Sequence, residues 1–269
     1  MREFFGIGGY TRPAEGYLSW QHLLFVSFLM AVMITLAVLL GRKNRSKPFE
    51  KKLHVLMVAA ILIDSIELFK IVFLCFRSAD PMTWIYELPL FLCSIQLITV
   101  PLAAFSKRRV RDAALDFVLI FGILGAVLGT YAAGNNYAVY PVLCFDNVVS
   151  GITHSISGFA SLYIAISGLS SMKRHNIPIT YLILTFFCVA AYVANHLISY
   201  NYMFLMRGDG TPYELLYSLV GGNPILYPLG VVILFLLYIT AFYAGYHFFC
   251  LRRRTPKSAS ANGFKMKIK

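Results

Sequence analysis

Charged side chains are scarce in this chain of 269 residues: they make up only 13% of the sequence, against 58% for hydrophobic residues. Soluble globular domains carry about 25% charged residues, so this composition excludes an ordinary soluble domain. The mean hydropathy of +0.68 leads to the same conclusion. The chain is therefore expected to fold with lipid as its main solvent.

Cysteine is also sparse, and its copies lie singly in different segments. No CxxC pair and no metal-ligand spacing occurs, so the pattern excludes a common zinc site and predicts neither a metal nor a cofactor. Two of the thiols, Cys75 and Cys144, are predicted near the same membrane face and could pair. Most of the five are expected to pack in helix interfaces. The five cysteines are Cys75, Cys93, Cys144, Cys188 and Cys250.

Two large classes of seven-helix protein lack their signatures here. A retinal protein needs a lysine in its last helix for the Schiff base, and the last apolar run, 225–251, contains none. A G-protein-coupled receptor would show an acidic-Arg-Tyr sequence after its third helix, and this is missing. The letters of its Asn-Pro-x-x-Tyr motif occur at 223–227, which is the wrong end of the last run. Both classes are disfavoured.

What the sequence does contain is seven long apolar runs, each able to cross a hydrocarbon core of about 30 Å. They cover residues 20–40, 53–76, 84–105, 113–131, 147–170, 179–205 and 225–251. The predicted fold is all-α, a single polytopic domain of seven transmembrane helices over residues 1–251. A basic tail, 252–269, is expected to be disordered. Alternating apolar and helix-breaking residues after Leu205 predict a short interfacial helix or lid.

Lysine and arginine alternate between loops in a way that predicts orientation. Most of the 24 basic residues lie in the first, third and fifth loops between the runs and in the tail. Because short cytoplasmic loops retain positive charge, the N-terminus is expected outside and the C-terminus in the cytoplasm. The formal charge of +12 then implies contact with anionic lipid head groups at the cytoplasmic face, and no nucleic-acid partner. The oligomeric state is left open.

The chemistry of the chain is expected among polar residues inside the runs. Ionisable groups at that depth are costly, and they tend to face a cavity or one another. Counting from the run ends at about 1.5 Å per residue places Glu67, Cys93, His154 and His196 in the outer half of four different helices. We therefore predict that Glu67, Cys93 and His154, together with Asn195 or His196, line one polar cavity.

Asp64, Glu67 and Lys70 follow one another at intervals of three residues, which places them on one stripe of the second helix. Two interpretations remain open for this stripe. It borders the cavity, or its charges pair within the helix and only stabilise the bundle. His154 and His196 carry the same ambiguity, because either can serve as an interhelical hydrogen-bonding residue.

Residues 195–205 read Asn-His-Leu-Ile-Ser-Tyr-Asn-Tyr-Met-Phe-Leu. This segment resembles the sixth helix of the YwaF-type family of bacterial integral membrane proteins, and Leu-Pro-Leu-Phe-Leu-Cys at 88–93 is similar to that family's start of helix 3. The resemblance implies a multi-pass protein of the bacterial plasma membrane.

Polar residues inside the apolar runs are the candidate binding residues of this chain. They are Asp64, Glu67, Lys70, Gln96, Asn195, Asn201 and Tyr202.

The resemblance implies an enzyme only indirectly. Eukaryotic relatives of the family include an acyltransferase of ether-phospholipid synthesis, whose helix 3 motif carries a nucleophilic cysteine followed by a histidine. In this chain Leu90 and Phe91 occupy those two positions. Cys93 lies three residues beyond Leu90, on the same helix face and about one turn deeper.

Three classes of function follow. In the first, a non-enzymatic protein binds or transports lipids, ions or a small polar ligand through its charged residues and histidines. In the second, Cys93 acts as a thiolate and His154 or His196 as its base, and an acyl group passes from a phospholipid through a thioester to a lyso-lipid or to water. A histidine partner is essential there, because a buried thiol needs a base to form the thiolate. A structural or accessory subunit is the third.

Overall fold

The computed structural model describes residues 1–254, with the side chains of residues 1–249. Over this part of the chain the fold is all-helical, without a β-strand. The α-helices are α1 (Arg2–Phe5), α2 (Trp20–Asn44), α3 (Phe49–Ser78), α4 (Gln96–Phe105), α5 (Arg108–Tyr131), α6 (Gly134–Tyr137), α7 (Phe145–Ser167), α8 (Ile177–Ile198), α9 (Tyr213–Leu219) and α10 (Leu226–Arg254). Short 3₁₀-helices cover Pro81–Glu87, Arg174–Asn176 and Tyr202–Phe204. The tail predicted to be disordered falls almost entirely outside the described residues.

Several segments are long and apolar enough to cross a membrane, which confirms the prediction of an all-helical protein with apolar spans. α3 is longer still at 30 residues, but its interior carries Asp64, Glu67 and Lys70, which lipid alone would not accommodate. α9 lies where the sequence predicted a short interfacial helix. Among the described residues the apolar spans are five: Trp20–Asn44, Arg108–Tyr137, Phe145–Ser167, Arg174–Ile198 and Leu226–Phe249.

The third apolar run, predicted as one helix over 84–105, is broken. The 3₁₀-helix Pro81–Glu87 is followed by an irregular segment, residues 88–95, and only then by the ten-residue α4. Pro89 explains the break, because it has no N–H to donate and it disfavours helical geometry at Leu88, whose φ and ψ are −58° and 143°. Irregular backbone at membrane depth is tolerated where it borders a cavity or other protein.

The sixth apolar run, predicted to extend to residue 205, forms a helix only as far as Ile198. Ser199 adopts a left-handed conformation with a φ of 53°, and the chain then turns back. Asn195 holds this turn, since its side-chain N–H donates to the Tyr202 carbonyl at 3.0 Å and its oxygen accepts from the Tyr202 N–H at 2.6 Å. α8 therefore ends about two turns earlier than predicted.

α7 is the centre of the bundle and packs against α2, α3 and α5. Glycines permit the close approach. A Cβ on Gly158 would lie 2.4 Å from Met33 of α2 and 2.6 Å from Ala126 of α5, and one on Gly122 would lie 2.7 Å from the Ser157 carbonyl oxygen. Small residues at such crossings let helix backbones approach within a membrane. α4 packs against α3 and α5, which places segment 88–95 beside the central helices.

The two ends of the bundle are held by different polar contacts. At the end that carries residues 1–19, called the N-terminal end below, Arg77 forms a bidentate pair with Asp146 at 2.7 and 2.8 Å. At the opposite end, called the basic end, buried Asp116 accepts hydrogen bonds from Ser170, Asn176 and Tyr243. Asp116, which the sequence did not single out, thereby ties α5 to α10 and to the connection between α7 and α8.

Candidate functional site

A cavity of about 400 Å³ lies at the N-terminal end of the bundle, walled by α3, α7 and segment 88–95. Its volume is in the range of small-molecule sites in proteins. Charged groups, a thiol, an imidazole, hydroxyls and aromatic rings from separate elements meet there. The lining residues are Ile63, Glu67, Lys70, Leu74, Tyr86, Glu87, Leu88, Phe91, Cys93, Ser94, Leu97, Asn136, Tyr140, Asp146, Ser150, Thr153, His154, Ser157 and Tyr200.

Lys70 lies between two carboxylates in the cavity wall. Its ammonium is 2.5 Å from Glu67, one turn earlier on α3, and 2.9 Å from Glu87, the last residue of the 3₁₀-helix. The three side chains expose only 11% to 28% of their area, so their charges compensate one another inside the protein. The pairing of Glu67 with Lys70 considered from the sequence is present. Glu87, which the sequence did not indicate, extends it to a cluster with one net negative charge.

Cys93 reaches the cavity because it lies in the irregular segment rather than in a helix. Ser94 stabilises the local turn: its hydroxyl accepts from the Phe91 N–H at 3.0 Å and donates to the Phe91 carbonyl at 3.1 Å. The partly buried Cys93 side chain packs beside α5. There a Cβ on Gly125 would lie 3.4 Å from the Cys93 Cβ, an ordinary packing distance.

His154 of α7 lines the cavity together with Cys93. Its Nδ1 lies 2.7 Å from the backbone carbonyl of Ser150, one turn earlier. Because a carbonyl only accepts, Nδ1 carries the proton of the neutral ring and Nε2 is left as the acceptor. Cys93 and His154 both line the cavity and both pack against the face of α5 that carries Gly125 and Gly129. The result is a thiol beside a base whose orientation is fixed by a third group.

Two glycines of α5 make room for this pair. A Cβ on Gly129 would lie 2.1 Å from both Nε2 and Cδ2 of His154, which is far inside van der Waals contact. Gly125, four residues earlier, faces Cys93 on the same face of the helix. The thiol and the imidazole therefore lie side by side along one face of α5.

Part of the N-terminal segment covers one side of the cavity. Tyr140 and Asp146 belong to the lining, and the ring of Tyr10 lies 5.5 Å from the ring of Tyr140 while its hydroxyl bonds to Asp146. Arg77, which pairs with Asp146, also donates to the Phe5 carbonyl at 3.1 Å. These contacts hold residues 1–19 against the rim.

Two carboxylates stabilise the conformation and the position of the N-terminal segment. Glu3 accepts from the backbone N–H of Arg12 at 2.8 Å and of Thr11 at 3.0 Å, and these bonds hold the pKa of Glu3 below its usual value. Glu15 accepts from the backbone N–H of Val142 at 2.7 Å. The second bond fastens the segment to the loop that precedes α7.

The sixth run contributes neither Asn195 nor His196 to the cavity lining, contrary to expectation. His196 is exposed near the end of α8, with its ring 4.5 Å from that of Tyr192. The depth assigned to His196 assumed a helix reaching residue 205, whereas α8 stops at Ile198. His154 is therefore the histidine placed to act on Cys93.

Asn201 and Tyr202, predicted as binding residues, also lie outside the lining. The side-chain N–H groups of Asn201 donate to the Arg207 carbonyl at 2.9 Å and to the Asp209 carboxylate at 2.8 Å. The Tyr202 hydroxyl donates to the Ile85 carbonyl at 2.5 Å. Asn201 thus stabilises the loop after α8 internally, and Tyr202 ties that loop to the segment that leads to Cys93.

Asp64 and Gln96 were predicted as binding residues as well, and neither lines the cavity. Gln96 is fully buried, and its side-chain oxygen accepts from the Thr99 hydroxyl at 3.2 Å. Asp64 lies one turn from Glu67 toward the basic end. Of the ten predicted site residues, the structure brings together Glu67, Lys70, Cys93 and His154.

α7 carries a signal for the site that the sequence interpretation missed. Ser150, Thr153, His154 and Ser157 all line the cavity, and their spacing of i, i+3, i+4 and i+7 marks one helix face. A stripe of hydroxyls around a histidine would have identified α7 as a cavity wall. Glu87 offered no such signal, because its contact with Lys70 arises only when the broken third run folds against α3.

Cys75 and Cys144 are both free thiols, so the pair considered from the sequence does not form. Among the described side chains, no group of three or more His, Cys, Asp or Glu residues is arranged to hold a metal ion. The groups placed for chemistry in this cavity are the thiol, the imidazole and the charged cluster around Lys70.

A family model described as the TMEM164 family matches residues 17–243, which include every lining residue of the cavity. It describes membrane proteins, in agreement with the apolar helices. Searches among curated proteins and among solved structures found no match.

Proposed function

The chain belongs to the TMEM164 family of membrane proteins, and from that premise we propose that it is a thiol-dependent acyltransferase acting on membrane phospholipids. The observation that carries the proposal is that Cys93 and His154 line one cavity and lie along one face of α5. Nucleophilic acyl transfer needs such a pair within hydrogen-bonding reach, with the base oriented by a further group. The Ser150 carbonyl supplies that orientation.

The reaction proceeds in two steps. In the first, His154 Nε2 takes the thiol proton and the Cys93 sulfur attacks the carbonyl carbon of an acyl ester. The ester C–O bond breaks, and its oxygen leaves with the proton from His154, so the acyl group remains as a thioester. In the second, His154 takes the proton of the acceptor hydroxyl, a lyso-lipid or water, whose oxygen attacks the thioester. The C–S bond breaks, the acyl group leaves on the acceptor oxygen, and His154 gives its proton to the sulfur, which restores the thiol.

A carrier of ions or small polar ligands is the alternative function. Such a protein needs a polar path from one end of the bundle to the other. Asp64, the next charged group from Glu67 toward the basic end, does not line the cavity. Asp112 and Asp116 border a separate cavity of about 110 Å³. The separation of the two cavities favours acyl transfer over transport.

We further infer seven crossings, with the N-terminus outside and the cavity in the outer half of a plasma membrane. Contacts between helix ends support alternating directions. His22 bonds to the Thr130 carbonyl at the N-terminal end, and Lys52 bonds to the Ser167 carbonyl at the basic end. The broken third run and α3 supply the crossings beyond the five apolar spans. Anionic head groups at the cytoplasmic face are the expected lipid contacts of the basic loops.

Thioester formation at Cys93 tests the enzyme proposal. Full-length protein in detergent micelles would be incubated with phosphatidylethanolamine whose sn-2 chain carries an alkyne, plus a lyso-phospholipid acceptor. We expect the tag on the Cys93 peptide, released by neutral hydroxylamine as a thioester is. Cys93→Ala should lose both the tag and transfer to the acceptor, and His154→Gln should slow acylation by about 100-fold or more.

Cys75→Ser is the matched control, because Cys75 is a free thiol outside the cavity lining. It should leave the tagging of Cys93 and the transfer rate unchanged. Transfer that persists in Cys93→Ala, or wild-type protein that never carries the tag at Cys93, would overturn the proposal.

A further inference from the structure

Ser157 is a buried hydroxyl without a partner. Its residue is 3% exposed, it lines the cavity, and its Oγ makes no hydrogen bond within the described part of the chain. An unsatisfied buried polar group costs about 1–3 kcal/mol. A hydroxyl kept in that state in the wall of the cavity that Cys93 also lines calls for an explanation by a ligand.

Neighbouring hydroxyls on α7 do not share this property. The Thr153 hydroxyl donates to the Ser150 carbonyl at 3.0 Å, and the Ser155 hydroxyl donates to the Gly151 carbonyl at 2.7 Å. The Ser161 hydroxyl donates to the Leu119 carbonyl of α5 at 2.8 Å. On this part of α7, the hydroxyl without a partner is therefore that of Ser157, which lies one turn from His154 and on the cavity side.

The position of Ser157 follows from α5. Gly122 packs against the backbone of Ser157, Gly125 against Cys93 and Gly129 against His154. These glycines follow one another at about one turn of α5, so the groups they face are stacked along one side of that helix. Ser157 and the Cys93 thiol thus belong to adjacent layers of the same cavity wall.

The backbone around Cys93 adds two more donors. The N–H groups of Cys93 and Ser94 donate to no backbone carbonyl among the described residues, because both precede the first turn of α4. An amide of the nucleophilic residue itself is well placed for the oxygen of a carbonyl attacked by its side chain.

We propose that the Ser157 hydroxyl and the backbone N–H groups of Cys93 and Ser94 form the oxyanion-binding site of this cavity, with Ser157 as a further catalytic residue. The inference rests on the proposed acyl transfer. When the sulfur attacks the acyl carbon, the carbonyl π electrons move to oxygen, and the resulting anion accepts from these donors. The electrons return when the ester C–O bond breaks, so the donors neither gain nor lose a proton. The ligand class is an acyl ester or thioester carbonyl.

The variant Ser157→Ala tells a loss of oxyanion binding apart from a displacement of the Cys93 thiol. The rate of Cys93 acylation by the alkyne-tagged phosphatidylethanolamine should fall by about 100-fold, as for the loss of one oxyanion donor. Alkylation of Cys93 by iodoacetamide, measured on the Cys93 peptide, should change by less than about twofold, because attack at a saturated carbon develops no oxyanion. The midpoint temperature of thermal unfolding should be no lower than that of wild type, because the lost hydroxyl had no partner.

Ser155→Ala is the control, two residues away on the same helix with a satisfied hydroxyl that does not line the cavity. It should leave both rates unchanged. Unaltered acylation in Ser157→Ala, or an equal fall in acylation and alkylation, would overturn the oxyanion assignment while the Cys93 mechanism stands. A wild-type protein that forms no thioester at Cys93 would overturn the mechanism and, with it, this assignment.

Discussion

The space that the His154 imidazole occupies exists because residue 129 has no side chain. A Cβ at Gly129 would lie 2.1 Å from His154, whereas one at Gly125 would lie 3.4 Å from the Cys93 Cβ. Glycine in a helix costs about 1 kcal/mol relative to alanine. Its presence at position 129 is explained by the close approach of the imidazole rather than by any turn in the backbone.

Gly129→Ala is therefore expected to displace the imidazole from Cys93. Acylation of Cys93 should fall by about 100-fold, as on loss of a general base. The midpoint of thermal unfolding should fall as well, because the clash outweighs the gain in helix propensity. Both are measured on purified protein, by tagged-lipid incorporation and by a melting curve.

Gly245→Ala is the control variant. Gly245 lies in α10, and a Cβ added there would have no atom within 4 Å. It should raise the melting midpoint slightly and leave acylation unchanged. If Gly129→Ala behaved like Gly245→Ala, the close packing of His154 on α5 would be refuted.

At the scale of one element, the loop after α8 shows what Asn195, Asn201 and Tyr202 do. Asn195 bonds to both backbone groups of Tyr202, and Asn201 accepts from the Met206 N–H at 2.9 Å. The Tyr202 ring packs 5.1 Å from the ring of Phe91, two residues before Cys93. Asn195 and Tyr202 thus support the irregular segment without lining the cavity themselves, whereas Tyr200 of the same stretch does line it.

Asn195→Ala should release this loop. Two buried backbone groups of Tyr202 would lose their partner, at about 1–3 kcal/mol each, so we expect a loss of stability of about 2 kcal/mol or more. Limited proteolysis should cut within residues 199–212 faster than in wild type, and Cys93 acylation should fall in parallel. His196→Ala changes the exposed neighbour and should alter neither measurement. Equal protease resistance of the two variants would contradict the supporting role.

At the scale of the whole molecule, the two ends of the helix bundle differ in charge. Lys52, Arg111 and Lys173 lie at the basic end, while the cavity lies at the other end with one net negative charge in the cluster around Lys70. Basic residues retained on the cytoplasmic side would place the cavity toward the outer leaflet. A substrate lipid would then enter from that leaflet.

Epitope tags test this orientation. A tag after Lys269 and a tag within residues 42–52 should be accessible only from the cytoplasm, because both segments are strongly basic. A tag within residues 208–211 should be accessible from outside. Antibody labelling of intact and of permeabilised cells measures both. The reverse pattern would place the cavity in the inner half of the membrane.

Local patterns in the sequence determined the all-helical class, the apolar spans, and the spacing that lets Glu67 pair with Lys70. They also selected Cys93 and His154, because ionisable and reactive groups inside apolar runs rarely face lipid. Periodicity and hydropathy depend on neighbours along the chain, and for that reason they can be read without a structure.

Only the tertiary structure decided which of these groups meet. Pro89 breaks the third run and brings Cys93 and Glu87 to the cavity, while Asn195 ends α8 early and leaves His196 exposed. Asp116 and Ser157 acquire their roles from residues on other helices. Such outcomes depend on where helices stop and on which small residues let them touch. These are properties of contacts between distant parts of the chain, and local pattern does not contain them.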